Sequence, residues 1–281
     1  MGKLLLSAFT DEYANAFDAQ IEAAHKFDLK YLELRNADGK SVAQMTRQDI
    51  LEYRKKLTDN GIGVSAIGSP LGKIKLDDDL HAHLEIARNI FEHANILGTR
   101  NIRMFSFYGP QGISVSQCRQ QVLDTLEKLV LLARQFDVTL CHENEALIYG
   151  DTPQRCKDLL EYFGGELKCV FDMGNFVLEG VEPYEAYLLL KDHIQYFHIK
   201  DALSAGAVVP PGKGEANIQK ILLAHMSTVA ADTWISLEPH LQTFSGLNAL
   251  AGRKFDNPYQ YPDQETAFAD AVTKLKEMIQ L

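Results

Sequence analysis

Residues 138–172 read VTLCHENEALIYGDTPQRCKDLLEYFGGELKCVFD. Two apolar, strand-like runs, VTLCHEN (138–144) and LKCVFD (167–172), flank a segment that opens on Asp151-Thr152-Pro153. A capping residue followed by proline is the favoured order at a helix start. Each run ends on a carboxylate, Glu143 in the first and Asp172 in the second. Strand, helix and strand in this order form the crossover unit of a parallel sheet.

The unit recurs in both directions. Upstream, LLLSAF (4–9), YLELRN (31–36), GVSAIGS (63–69) and NIRMFSF (101–107) read as strands. The segments after them carry apolar residues at helical spacing: Phe17, Ile21 and Ala24; Ile50, Tyr53 and Leu57; Leu84, Ala87, Ile90 and Phe91; Val122, Leu126, Leu129 and Val130. Thr46 is the expected cap of the second helix, and Asn60-Gly61 and Gly98 are stop signals. Downstream, IQYFHIK (194–200) and TWISLEP (233–239) are the last strands. Helices are expected from Pro183 to about Asp192, near Asn217–Met226, and over Gln264–Ile279. Eight strands alternating with eight helices, with no linker between them, predict one domain over 1–281: an α/β protein folded as a (β/α)8 TIM barrel. An open doubly wound sheet is disfavoured, because TDEY (10–13) stands where a Gly-rich phosphate turn would follow the first strand.

A chain of 281 residues, 46% of them hydrophobic, can bury a large core. It has no apolar run of the ~18 residues a membrane span needs, and MGKLLLSAFTDEY turns acidic too soon for a signal peptide. Cys118, Cys141, Cys156 and Cys169 form no CxxC pair, so a reduced, cytoplasmic protein is expected. A net charge of −10 disfavours nucleic acid as a partner and favours a small molecule.

Alternate residues of a strand share a face. Glu143 pairs with Cys141, Asp172 with Val170, His198 with Tyr196 and Lys200, and Glu238 with Ser236 and His240, each against an apolar opposite face. The four ends Glu143, Asp172, His198 and Glu238 therefore form one inward-facing ring at the rim where TIM-barrel active sites lie. Three carboxylates and an imidazole need a cation when buried together. The mostly oxygen donor set suits one divalent ion, Mn²⁺ or Mg²⁺ first, with Co²⁺ or Zn²⁺ as alternatives.

The order Glu–Asp–His–Glu on strands five to eight resembles that of the xylose-isomerase-like sugar isomerase/epimerase barrels. Glu143-Asn144, FDMGN (171–175), HIKDA (198–202), PPGKGEANI (210–218) and LEPH (237–240) match as well. The match is close over the second half of the chain and rests mainly on strand rhythm in the first. The resemblance implies a metal-dependent sugar or sugar phosphate isomerase or epimerase. In it Glu143, Asp172, His198 and Glu238 bind one divalent ion, and Glu143 and Glu238 are the catalytic acid and base, moving protons through a metal-bound enediolate. Two features depart from the family. Asn175 stands where many members carry a substrate-contacting histidine, and LSAGAVVPPGKG (203–214) lacks the arginine some epimerases have after strand seven.

Lys200, Asn175, His240, Arg103 and Glu33 are the candidate substrate-binding residues. Lys200 has a competing reading as the partner of Asp201 or Glu238, and Glu33, Arg35 and Arg103 as a polar network inside the barrel. His142 has the wrong parity for the rim and is expected under the helices, and Trp234 in the core. The turn GKGE (212–215) offers backbone N–H groups to a phosphate, or is a plain tight turn. The stretch 241–262 is long for a connection here and rich in aromatics. It reads as a substrate lid or as an interface that would make the protein a homo-oligomer, a dimer or tetramer. A dehydratase of the inosose type would use the same metal site. An apurinic-site endonuclease would need further histidines for three zinc ions, and a sugar-binding subunit without catalysis would not need the two glutamates.

Overall fold

The computed structural model describes residues 2–241 and 258–280. Eight strands form one parallel sheet: β1 (Leu4–Ala8), β2 (Tyr31–Leu34), β3 (Gly63–Gly68), β4 (Asn101–Met104), β5 (Thr139–Glu143), β6 (Leu167–Asp172), β7 (Ile194–Ile199) and β8 (Thr233–Leu237). Their order in the sheet is β1-β8-β7-β6-β5-β4-β3-β2, and β1 and β2 lie side by side, so the barrel is nearly closed. The helices are α1 (Phe17–Lys26), α2 (Arg47–Asp59), α3 (Leu80–Leu97), α4 (Arg119–Phe136), α5 (Pro153–Tyr162), α6 (Met173–Leu178), α7 (Pro183–Leu190), α8 (Ile218–Thr228) and α9 (Gln264–Ile279).

The local chemistry accounts for the boundaries. Thr46 caps α2 in a reciprocal capping box with Asp49, Thr152 accepts the Arg155 N–H ahead of Pro153 at the start of α5, and Gly98 ends α3 at a φ of 81°. Helix α6 was not evident from the sequence: Asp172 accepts the Asn175 N–H and starts a helical turn directly off the strand end. Residues 105–107 leave the expected fourth strand and cross the rim, tied to the preceding loop by Phe105 N–H to Leu71 O and Phe107 N–H to Gly72 O.

The main apolar core lies between sheet and helices, through Leu32, Ile67, Ile102, Leu140, Phe171, Phe197 and Ile235. Inside the barrel Ala66, Cys141, Val170 and Tyr196 form a second cluster, with Trp234 packed against it. Apolar filling in the lower barrel leaves the upper end to the charged residues. All four cysteines are buried and free. Among the described residues, no helix is long and apolar enough to cross a membrane. Within the 241–262 stretch, Phe244 and Phe255 lie outside the described residues.

Candidate metal centre

The register brings the ring together: His198 is laterally paired with Asp172 on one side and Ser236 on the other, and Glu143 with Val170. One ligand atom each from Glu143, Asp172, His198 and Glu238 lies within 4.8 Å of the others, and all four residues are buried. His198 directs Nδ1 at this group, 2.8 Å from Glu143 Oε1 and 3.5 Å from Glu238 Oε2. Asn144 fixes the end of β6 by accepting the Asp172 N–H and donating to the Asp172 carbonyl.

A layer of cations interleaves with these acids. Lys200 Nζ lies 2.9 Å from Asp172 Oδ2, 3.0 Å from Glu238 Oε2 and 3.1 Å from Asn175 Oδ1. Of the alternatives open for Lys200, the structure shows pairing with Glu238, and with Asp172 as well. Arg103 Nη1 donates to Glu143 Oε2 at 3.1 Å. Arg35 lies over the Phe9 ring and donates to Glu238 and to both oxygens of Asp11, with Glu12 a further partner. His240 Nε2 is 3.3 Å from Glu12 and 3.4 Å from Glu238.

Asp11 and Glu12 were missed as site residues, since TDEY reads as a polar turn. The signal was their position at the end of β1, on the same rim as the other acids. Glu33 is buried, and its carboxylate is engaged by Tyr196 and His198. His142 is buried with Nε2 on Ser106, as expected for a histidine under the helices.

Charge tests whether a divalent ion fits. Asp11, Glu12, Glu33, Glu143, Asp172 and Glu238 are six buried carboxyl groups gathered about three cations, Arg35, Arg103 and Lys200. Burial, with the neighbouring Glu238 and Asp11 charges, pushes the Glu12 carboxyl up to about 8 against the opposing effect of Arg35, so at neutral pH it is protonated. Burial also raises the Asp172 carboxyl to about 7 against the opposing effect of Lys200, so the acids exceed the three cations by between one and two charges at neutral pH, an excess that a divalent ion would offset. Glu238 Oε2 is a buried atom with no hydrogen-bond partner among the described residues, its 3.0 Å approach to Lys200 being outside hydrogen-bonding geometry. Without an added cation the His198 imidazole takes that part: burial disfavours its charged form, but Glu143 and Glu33 outweigh burial and raise it to about 10. The residues present fit the ion.

The backbone is strained at the same end of the barrel. Phe107 (φ 67°) and Leu147 (φ 67°) follow β4 and β5 in the left-handed region, where no side-chain chemistry favours them, and His240 (φ 45°), of a residue type that enters this region more readily, follows β8. The GKGE turn is not an open anion cradle. The N–H groups of Gly212, Gly214 and Ala216 all point at the Asp201 carboxylate, at 2.8, 3.0 and 3.0 Å.

The sequence model of the family described as xylose isomerase-like TIM barrel matches residues 21–278. No curated protein matches the sequence. Among solved structures, L-ribulose 3-epimerase has a TM-score of 0.75 at 16% identity, covering 100% of this chain and 95% of that one. The probable 3-DHS dehydratase AsbF of Bacillus anthracis has a TM-score of 0.72 at 20% identity, covering 98% and 99%. The IOLI protein, solved with a zinc atom, has a TM-score of 0.71 at 17% identity, covering 99% and 98%. At these identities the likeness to the solved structures shows the fold, and the family match shows the membership. The chain belongs to the xylose isomerase-like TIM barrel family.

Proposed function

We propose that this protein is a divalent-metal-dependent isomerase or epimerase of a small carbohydrate. The observation that carries the reading is the convergence of Glu143, Asp172, His198 and Glu238, from four successive strands, on one buried point. These four residues would hold the ion, with Mn²⁺ or Mg²⁺ best suited to three carboxylates and one imidazole. Once bound, it would polarise substrate oxygens and acidify the hydrogen on the carbon beside a carbonyl.

The chain's own residues supply the proton transfers. Glu143 comes from β5 and Glu238 from the end of β8, so they meet a bound sugar from different sides of the barrel. One removes the proton from carbon and the other returns one, to the opposite face for epimerisation or to the adjacent carbon for isomerisation. Burial pushes both carboxyls up, but their cationic partners outweigh it. His198 and Arg103 hold Glu143 low; Lys200, His198 and Arg35 hold Glu238 low. Both are thus carboxylates in the free site: one accepts the proton from carbon, and the other must take up a proton from solvent before it returns one. Lys200, Asn175, Arg103 and His240 surround them as donors for substrate oxygens. Four free buried cysteines are consistent with a reducing, cytoplasmic setting.

The test is a panel of ketoses and aldoses incubated with the Mn²⁺-loaded protein in D₂O. The expected result is an isomer carrying solvent deuterium at the reacting carbon, lost in Glu143→Gln and Glu238→Gln. Turnover without deuterium at any carbon contradicts proton transfer through the glutamates. AsbF is described as a probable dehydratase, and a conjugated-ketone absorbance with loss of water would assign this chain to that class instead.

A further inference from the structure

We propose that Glu33 is a positioning residue that, together with Tyr196, holds the His198 ring so that Nδ1 faces Glu143, Asp172 and Glu238 and would give up its proton and present its lone pair when an ion binds there. The inference rests on the metal site proposed above. Glu33 reaches its position from β2, across the barrel from the ligand strands, with its side chain fully buried. Its Oε1 accepts the Tyr196 hydroxyl at 3.0 Å, and His198 Nε2 lies 3.3 and 3.2 Å from its two oxygens. The other ring nitrogen, Nδ1, faces the ligand carboxylates.

A neutral imidazole has one N–H, and the hydrogen bond made by one nitrogen decides which of the two keeps the lone pair. A carboxylate at Nε2 accepts that proton bond and leaves Nδ1 free for a cation, which also makes the ring a stronger donor. Edge contacts from Phe9, at 5.1 Å between centroids, and Tyr196, at 5.4 Å, resist rotation of the ring. Tyr196 does two tasks: its hydroxyl orients Glu33 and its ring packs on His198. Among the described residues the Glu33 carboxylate has no other hydrogen-bond or ion-pair partner, and Arg103 acts on it only through charge at longer range.

The full chain and its Glu33→Gln and Tyr196→Phe variants are titrated with Mn²⁺ by calorimetry, and each is melted without metal. Glutamine keeps the shape but can turn an N–H toward Nε2, which favours the tautomer with a proton on Nδ1. Glu33→Gln is expected to weaken Mn²⁺ binding by about 10–100-fold. Its metal-free Tm should fall only modestly: the His198 ring loses one of its two acid partners but keeps Glu143, and one carboxylate has left an acid-rich cluster. Tyr196→Phe is expected to weaken binding by a smaller factor. A loss in Glu33→Gln below about tenfold overturns the inference, as does a metal-free Tm that falls in step with affinity. If Glu33→Gln does not fold, unchanged affinity in Tyr196→Phe overturns it and weakened affinity supports it. A wild type that binds no Mn²⁺ overturns the metal reading itself, whereas a wild type and a Glu33→Gln variant that bind alike overturn this inference alone.

Discussion

The ammonium of Lys200 lies 3.0 Å from Oε2 of Glu238, and both groups are buried. The same nitrogen bonds Asp172 at 2.9 Å, so one lysine offsets the charge of two carboxyl groups that would also hold a divalent ion. Buried charges of one sign are tolerated only while such partners remain.

Lys200→Met should therefore lower metal-free stability by about 3–5 kcal/mol, the cost of stranding buried charge. The variant should also gain more from added Mn²⁺ than the wild type does, since the ion restores part of the missing charge. Urea unfolding with and without Mn²⁺ measures both effects. An equal response of the two proteins to the ion would separate Lys200 from the metal centre.

Glu143→Gln and Glu238→Gln each replace a proton-transferring carboxylate by an amide of the same shape. Loss of a general acid or base costs about 10²–10⁴-fold in rate, so kcat should fall by at least the lower figure in each. Steady-state kinetics at saturating Mn²⁺ separates this from weakened metal binding.

His83 gives a pH dependence away from the metal centre. Its Nε2 accepts the Gly72 N–H at 3.0 Å, so the ring is neutral in the fold, and burial lowers its affinity for a proton. The unfolded chain protonates first as pH falls below the ordinary value of 6.5, and stability is lost from there downward. One such group contributes a slope of up to about 1.4 kcal/mol per pH unit. His83→Gln keeps an acceptor for Gly72 and should flatten the fall in Tm between pH 7 and 5. His93, His142 and His225 are shifted the same way and preserve the rest of the slope.

Asp201 organises the loop after β7 by accepting the N–H groups of Ala202, Gly212, Gly214 and Ala216. Asp201→Asn turns a donor toward some of these N–H groups and should cost roughly 3 kcal/mol, the scale of stranding one or two buried donors. The same arrangement predicts that inorganic phosphate does not stabilise the wild type through this turn, which a thermal shift series checks.

The barrel and its rim quartet were legible because both rest on short periodicities. Period-two alternation puts Glu143, Asp172, His198 and Glu238 on inward faces, and one wrong step would have reversed them, as it does His142. What strand alternation cannot give is the distance across the barrel. Glu33 shares parity with Arg35, yet the two part company: Arg35 reaches Asp11, Glu12 and Glu238, while Glu33 lies against His198. Asp11 and Glu12 escaped because a three-residue helical turn has no period to read. The GKGE turn shows the converse. Its glycines suggest an anion site, and the anion is the chain's own Asp201, about ten residues upstream.

Titration of the full chain with Mn²⁺, followed by metal analysis after gel filtration, tests the central claim most directly. The account predicts one ion per chain, lost in Asp172→Asn and in His198→Ala while both variants remain folded. Absence of binding, three ions per chain, or binding unaffected by the two substitutions would contradict it.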